Sequence, residues 1–358
     1  MYQLEKIKEL ASTLRAESAI AEKDGKLTDR QLDLLYEYKL FKLFVPETFG
    51  GLALTLLDGL LIEEELATVD GSLGWTVTLC AGANMFVGYL DPKITDSLFR
   101  DKRACLGGSG KVAGIAEINK GGYLITGKWD YATGAPHNTA FTANCILQQE
   151  GELVLDAQGK PVSKSFVFLR NEVDIIENSW NTMGLKATAG STFAVEKLFV
   201  DKNRSFEINP NRAFLTDVIY HYPFQQLAET TIAVNTLGMG RHFLMCCKEI
   251  LQQRYPKPSH QIPWEIYQRA TKQIQELRNQ FFSLVDVSWQ QMHSYHALHS
   301  ETARKLSGIS KQLVRTVQQQ VTLLYPYCGM NGARVDQEIN RIWRDLFTAS
   351  QHNLLVDF

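Results

Sequence analysis

The sequence predicts an α+β fold, mostly α, in three consecutive parts. Apolar residues recur at a helical period up to about residue 100. They switch to strand-like alternation between about 101 and 205, and return to the helical period from about 206 to the end. The expectation is an N-terminal helical domain (1–100), a middle β-barrel or sandwich domain (101–205) and a C-terminal four-helix bundle (206–358).

In the first part, Ile7, Leu10, Leu14 and Ile20 form one apolar stripe, and Leu32, Leu35, Tyr36 and Leu40 form another. Pro46 and Gly50-Gly51 interrupt the chain. A helix through LLDGLLIEEELATVD follows, then a turn at Asp70-Gly71 and a helix through SLGWTVTLC with Ser72 as its expected N-cap. In the second part, GGYLITGKW alternates after a Gly-Gly turn, and TAFTANCIL, SFVFLR, VDII and TFAVEKLFV are further β-rich runs. In the third part, FQQLAETTIAVNTLGMGRHFLMCCKEILQQR reads as one long helix ended by Pro258 and Pro263. Its Gly238 and Gly240 each cost about 1 kcal/mol relative to Ala and mark close helix packing. The stripe Ile266, Ala270, Ile274, Leu277, Phe281, Leu284 gives a second helix and SGISKQLVRTVQQQVTLLY a third. A fourth is expected from near Asp336 to the C-terminus.

The chain has 358 residues, 45% hydrophobic and 21% charged, an ordinary globular mix long enough for a large core. A net charge of −2 offers no basic face, so no nucleic-acid partner is expected. No window reaches about 18 uninterrupted apolar residues, so no membrane span is expected. The start, MYQLEKIKELASTLRAE, carries charges inside its apolar pattern and does not read as a secretory signal. Six cysteines include no Cys-x-x-Cys pair and read mostly as buried free thiols in a reducing compartment, the cytoplasm. His293, His296 and His299 are spaced by three, but no carboxylate falls in register with them, so no metal is expected.

No Gly-x-Gly-x-x-Gly follows a strand and no P-loop is present, so a cofactor must be held in another way. Gly107-Gly108-Ser109-Gly110 reads as a flexible loop, either an ordinary turn or one whose N–H groups approach a ring or phosphate. Trp129 reads either as core or as the wall of a flat aromatic cofactor, with Thr133 able to reach a ring nitrogen. His137 reads as a turn histidine, and Gly184, Thr188, Gly190 and Ser191 as a polar loop. Arg344 and Asp345 are adjacent, so they must seek different partners. His352, eight residues after Arg344, is expected on the same helix near the same face.

Taken in order, LFVPETFGG, EEELATVDGSLGW, AGIAEINKGGYLITGKWDYATG, MGLKATAGSTFAVEKLFVD and RIWRDLFTASQH resemble the acyl-CoA dehydrogenase superfamily over nearly the whole chain. The resemblance implies the three-part architecture, a flavin between the β-domain and the bundle, and a homotetramer built through the bundle. The dehydrogenases' C-terminal catalytic glutamate has no counterpart: Asn353 stands in its place beside His352, and an amide is no base near neutral pH. Some members carry the glutamate on the first bundle helix, where Glu229 is the stand-in. The stretch through which a neighbouring subunit contacts FAD is not evident in QRYPKPSHQIPWEIYQ, which leaves FAD or FMN open.

The motifs are closer to the flavin-dependent monooxygenases of this fold, the two-component hydroxylases. Gly114-Ile115-Ala116, Gly121-Gly122-Tyr123, Trp129, Thr133-Gly134 and Arg344-Asp345 with His352 match that branch. The branch implies reduced flavin delivered by a separate reductase, oxygen captured as a C4a-hydroperoxyflavin, and oxygenation of a small-molecule substrate. It assigns Thr133 and His352 as catalytic hydrogen-bond donors, and Ser109, Trp129, Thr133, Gly134 and Thr188 to the flavin. The sequence lacks the histidine that some members supply between 76 and 100, for which His137 is the candidate substitute. The competing expectations are an acyl-CoA dehydrogenase with Glu229 as base and a non-catalytic binding or scaffold protein.

Overall fold

The computed structural model describes residues 2–257 and 261–356. Helices α1 (Tyr2–Ala16), α2 (Ser18–Asp24), α3 (Asp29–Glu37), α4 (Leu56–Val69), α5 (Gly71–Asn84) and α6 (Pro92–Phe99) come first. Strands β1 (Leu106–Asn119), β2 (Gly122–Ala132), β3 (Ala140–Gln149), β4 (Glu152–Leu153), β5 (Ser163–Leu169), β6 (Asp174–Ile176), β7 (Ser191–Asp201) and β8 (Ser205–Phe206) follow. Helices α7 (Val218–His221), α8 (Phe224–Arg254), α9 (Gln261–Tyr295), α10 (Ser300–Leu324), α11 (Met330–Ala333) and α12 (Glu338–Ala349) complete the chain. The fold is the mostly α, α+β arrangement that the change of period predicts.

Local chemistry sets several boundaries. Thr28 starts α3 with a capping box, accepting from the Gln31 N–H while Gln31 Oε1 accepts from the Thr28 N–H. The cap of α5 is Asp70 and not Ser72: Asp70 Oδ1 accepts from the Leu73 N–H at 3.0 Å, so the helix begins two residues earlier than the serine implies. α8 matches the long helix read from the sequence and ends at Arg254. Pro258 lies outside the described residues. Pro263 ends nothing; it sits in the first turn of α9, where its missing N–H is not needed. The last helix does not reach the C-terminus: α12 stops at Ala349, and His352 caps a separate 3-10 turn, Asn353–Leu355.

The strands form one eight-stranded sheet in the order β6-β7-β2-β1-β3-β5-β8, with β4 paired to β3. All pairs are antiparallel except β1 with β3. In a flat sheet β2 and β5 would stand about 14 Å apart, three strand spacings. The rings of Trp129 on β2 and Phe168 on β5 are 5.8 Å apart, and those of Phe141 and Phe193 are 4.9 Å apart, so the sheet curls over its own core. Gly114 and Gly127 exist for that core: a Cβ on either would stand 2.4 Å or less from the Trp129 ring.

The helices share a second, larger core. Its middle holds the buried Glu64 carboxylate of α4. Arg278 of α9 grips both its oxygens at 2.7 Å, and Arg241 of α8 reaches it at 2.8 Å. This joins α4, α8 and α9. Gly238 lets α8 approach α4, where a Cβ would stand 2.4 Å from the Glu64 carbonyl oxygen, and Gly240 makes room for Val317 of α10. Both glycines therefore serve packing, as their positions in the helix predict.

Candidate functional site

A cavity of about 310 Å³ lies where α5, the bulged half of β1, the end of β2 and the first turns of α8 converge. Leu79, Phe86, Phe206, Ile208, Leu227 and Ile232 supply apolar wall. Thr78, Ser109, Tyr131, Thr133, Asn144 and His352 supply polar atoms. None of the described residues lining it carries an Asp, Glu, Lys or Arg side chain.

The Gly107–Gly110 segment is not a loop. It belongs to β1, whose ladder with β3 is interrupted twice between Ser109 and Gly114. The bulge turns backbone toward the cavity. A Cβ on Gly107 would stand 2.0 Å from Asn138, and one on Gly108 would stand 2.0 Å from the Thr142 carbonyl oxygen. Gly110, and Gly82 of α5 opposite, have nothing within 4 Å of that position. Ser109 lines the cavity, its Oγ accepting from the Lys111 N–H at 3.3 Å. Asn144 joins the floor, with Nδ2 donating to the Gly110 carbonyl at 2.9 Å and Oδ1 accepting from Ser165 at 2.6 Å.

Thr133 follows β2 and lines the cavity; its hydroxyl bonds to no described residue. The turn that holds it is pinned from behind. Asn138 Nδ2 donates to the Thr133 carbonyl at 2.9 Å, and the Gly134 N–H donates to the Thr188 carbonyl at 2.8 Å. Gly134 takes φ +74, the left-handed region. Gly134 and Thr188 thus support the turn and do not line the cavity, since Thr188 also spends its hydroxyl on the Leu185 carbonyl at 2.8 Å.

Trp129 is likewise not a wall of the cavity. It is wholly buried in the sheet's core, stacked on Phe193 with its indole N–H donating to the Asn144 carbonyl at 3.0 Å. Tyr131, which the sequence reading missed, is the aromatic residue that strand β2 turns to the cavity. It stands there at φ +72, an unusual backbone for a residue with a Cβ. Its only sequence signal is its place between Trp129 and Thr133.

His352 reaches the cavity from the turn after α12, and its ring leans on Trp75 at 6.0 Å. Nδ1 accepts from the Leu354 N–H at 3.3 Å, which places the ring proton on Nε2. Nε2 has no partner among the described residues. Burial lowers the imidazole pKa, so the neutral form prevails.

Arg344 and Asp345 do find separate partners. Arg344 bonds to Glu22 and donates to the Met183 carbonyl at 2.7 Å, while Asp345 Oδ1 accepts from the Leu185 N–H at 2.5 Å. They join α12 to α2 and to the loop before β7.

Glu229 is buried on α8 but does not line the cavity. Gln225 Nε2 donates to its Oε1 at 3.1 Å and Ser307 of α10 donates to its Oε2. As a base for an acyl substrate it is misplaced: 3.6 residues per turn carries it to the α10 side while Leu227, Ala228 and Thr231 face the cavity. His137 does not reach the cavity either. It stacks on Phe41 at 5.3 Å and groups with Cys80 and Cys105. Sequence spacing does not reveal that group.

The cavity suits a flavin. Gly82 and Gly110 line it with nothing within 4 Å of where a Cβ would stand, and Thr133 and His352 present donors that no described residue uses.

No protein-family profile matches the chain. It is 21% identical to a pigment production hydroxylase of Rhodococcus erythropolis, over 99% of this chain and 92% of that one. It is 24% identical to the flavin-dependent monooxygenase oxygenase subunit HsaA of Rhodococcus jostii, over 66% of this chain and 62% of that one. The solved structure of XiaF from Streptomyces sp., in complex with FADH2 and glycerol, superposes with a TM-score of 0.89 at 20% identity, covering 99% of this chain and 91% of that one. These similar proteins are flavin-dependent monooxygenases of the acyl-CoA dehydrogenase fold, the two-component hydroxylase branch that the sequence resembles.

Proposed function

We propose that the chain, which has the acyl-CoA dehydrogenase fold, is a flavin-dependent oxidoreductase and the oxygenase component of a two-component monooxygenase acting on a small, uncharged, largely apolar molecule. The observation that carries the reading is the pairing of two unspent donors, Thr133 and His352, on the wall of a cavity without charged side chains. Reduced flavin, when bound, supplies the two electrons that let one atom of dioxygen enter the substrate while the other leaves as water.

The chain's own residues do the rest. Gly107, Gly108 and Gly110 would let backbone approach a bound flavin, and Ser109 and Thr133 would offer it hydroxyls. His352 Nε2–H would be free to donate to the reacting oxygen. Being neutral, it holds that hydrogen bond without handing over a proton prematurely. Phe86, Phe206, Phe224 and Ile232 exclude water, which suppresses loss of oxygen as peroxide. The uncharged lining favours a neutral aromatic substrate over a carboxylate, whose unpaired charge would be costly to bury.

A separate flavin reductase delivers the reduced cofactor. The bundle assembles into a homotetramer, a reading supported by Met245, Val287 and Leu323, exposed on α8, α9 and α10. The cytoplasm is supported by six cysteines that form no disulfide. No helix of the described residues is long and apolar enough to cross a membrane.

The test supplies chemically reduced FAD or FMN, 18O-labelled dioxygen and a panel of neutral aromatic compounds. Incorporation of one labelled atom into a product is the expected result. Anaerobic bleaching of oxidised flavin by an acyl-CoA, with no labelled product, would replace this reading with desaturation.

A further inference from the structure

Behind the Thr133 turn lies a second group of reactive side chains that the proposed chemistry does not use. Cys80 on α5, Cys105 just before β1 and His137 after β2 each offer a ligand atom, and the three atoms lie within 4.8 Å of one another. Both cysteines are wholly buried, and His137 is half-buried at the edge beside the exposed Pro136. Asn138 Oδ1 stands 3.7 Å from Cys80 Sγ and 3.5 Å from Cys105 Sγ. His137 Nε2 is buried and has no hydrogen-bond partner.

We propose that Cys80, Cys105 and His137 bind a soft divalent cation, Zn²⁺ being the best match, with Asn138 Oδ1 as the fourth ligand. A tetrahedral zinc holds two sulfurs about 3.8 Å apart, so atoms already within 4.8 Å close on it with small side-chain adjustment. Two thiolates cancel the charge of the ion, so the filled site brings no net charge into the interior.

Two comparisons within the chain support the choice. Cys247 and Cys328 also approach, at 4.0 Å, but no histidine joins them. His242, Cys246 and Glu338 form the other three-ligand group among the described residues, but Arg15 at 3.7 Å and Arg341 at 3.8 Å already face the Glu338 carboxylate and repel a cation. The Cys80 group has no such carboxylate and no such arginines; Lys42, whose charge does act on Cys105, is held away by its hydrogen bond to the Asp101 carbonyl at 3.2 Å. Its function is positional. Cys80 Sγ lies 3.8 Å from the Thr133 carbonyl and Asn138 Nδ2 donates to the same oxygen, so the ion ties α5, β1 and the Thr133 turn together.

The experiment equilibrates the reduced full-length chain with Zn²⁺, desalts it and measures zinc per chain, with X-ray absorption of the bound metal. The expected result is one zinc per chain with two sulfur ligands at about 2.3 Å, and its loss in Cys105→Ser and in His137→Gln. His137 is half-buried, so His137→Gln tests the site even if Cys105→Ser fails to fold, as circular dichroism would reveal. Absence of zinc from the wild-type chain, a single sulfur ligand, or zinc retained by a folded His137→Gln variant would each overturn the proposal.

Discussion

The two sides of α8 differ in what they leave unfinished. Toward the sheet, Leu227, Ala228, Thr231 and Ile232 border open space shared with Thr133 and His352, whose donors have no partner among the described residues. Toward α10, Glu229 is just as buried, but Gln225 and Ser307 satisfy its carboxylate. A buried ionisable group is therefore not by itself a reactive one. What distinguishes the reactive side is an unspent hydrogen bond facing a void.

The sharpest way to break this contrast is to fill the void. Ala228→Trp should lower oxygenation about a thousandfold with little change in the unfolding midpoint; activity that survives would place the reaction elsewhere.

Glu63 of α4 extends the comparison to a carboxyl with no partner at all. Both its oxygens are buried without a hydrogen bond, and burial pushes its pKa up to about 8 from 4.5. It stays neutral in the folded chain while the unfolded chain ionises. Its contribution is full below pH 4.5 and is lost as pH rises through about 8, a cost of about 4 kcal/mol near pH 7.5. Urea unfolding of Glu63→Gln should show most of that stability regained at pH 7.5 and little at pH 4.5. Parallel curves for the two proteins would refute the assignment.

His352→Ala should cut product about ten- to a hundredfold while oxygen uptake continues, the difference emerging as hydrogen peroxide. Unchanged coupling would remove His352 from the reaction. The smallest effect is expected on the closed side. Glu229→Gln should leave oxygenation within about twofold and cost about 1 kcal/mol in stability, because an amide keeps only part of the Ser307 and Gln225 pairing. A large loss of turnover would reopen the desaturase reading.

Much of this architecture was legible because period reports which face is buried. The whole of α8 and the split partners of Arg344 and Asp345 follow from spacing, while the Thr133-Gly134 turn follows from the family resemblance. The misses share a different cause. Trp129 and Tyr131 are two residues apart, and bulges in the β2–β7 ladder at that point break the simple alternation that would send them to the same face. Ser72 lost its cap to Asp70 by two residues, within the usual uncertainty of helix ends. His352 kept its place at the cavity although the helix expected to carry it ends three residues earlier. Cys80, Cys105 and His137 are far apart in the chain, so only the folded structure assembles them.

Gly82 and Gly110 both line the cavity with nothing within 4 Å of a Cβ position, while Gly107 and Gly108 are hemmed in by their neighbours. Selection can therefore act on the first two and not on the second. A methyl or larger group at Gly82 or Gly110 would trim the space open to a guest without moving the scaffold, so related enzymes could diverge in diet through these two positions while the rest of the wall stays the same.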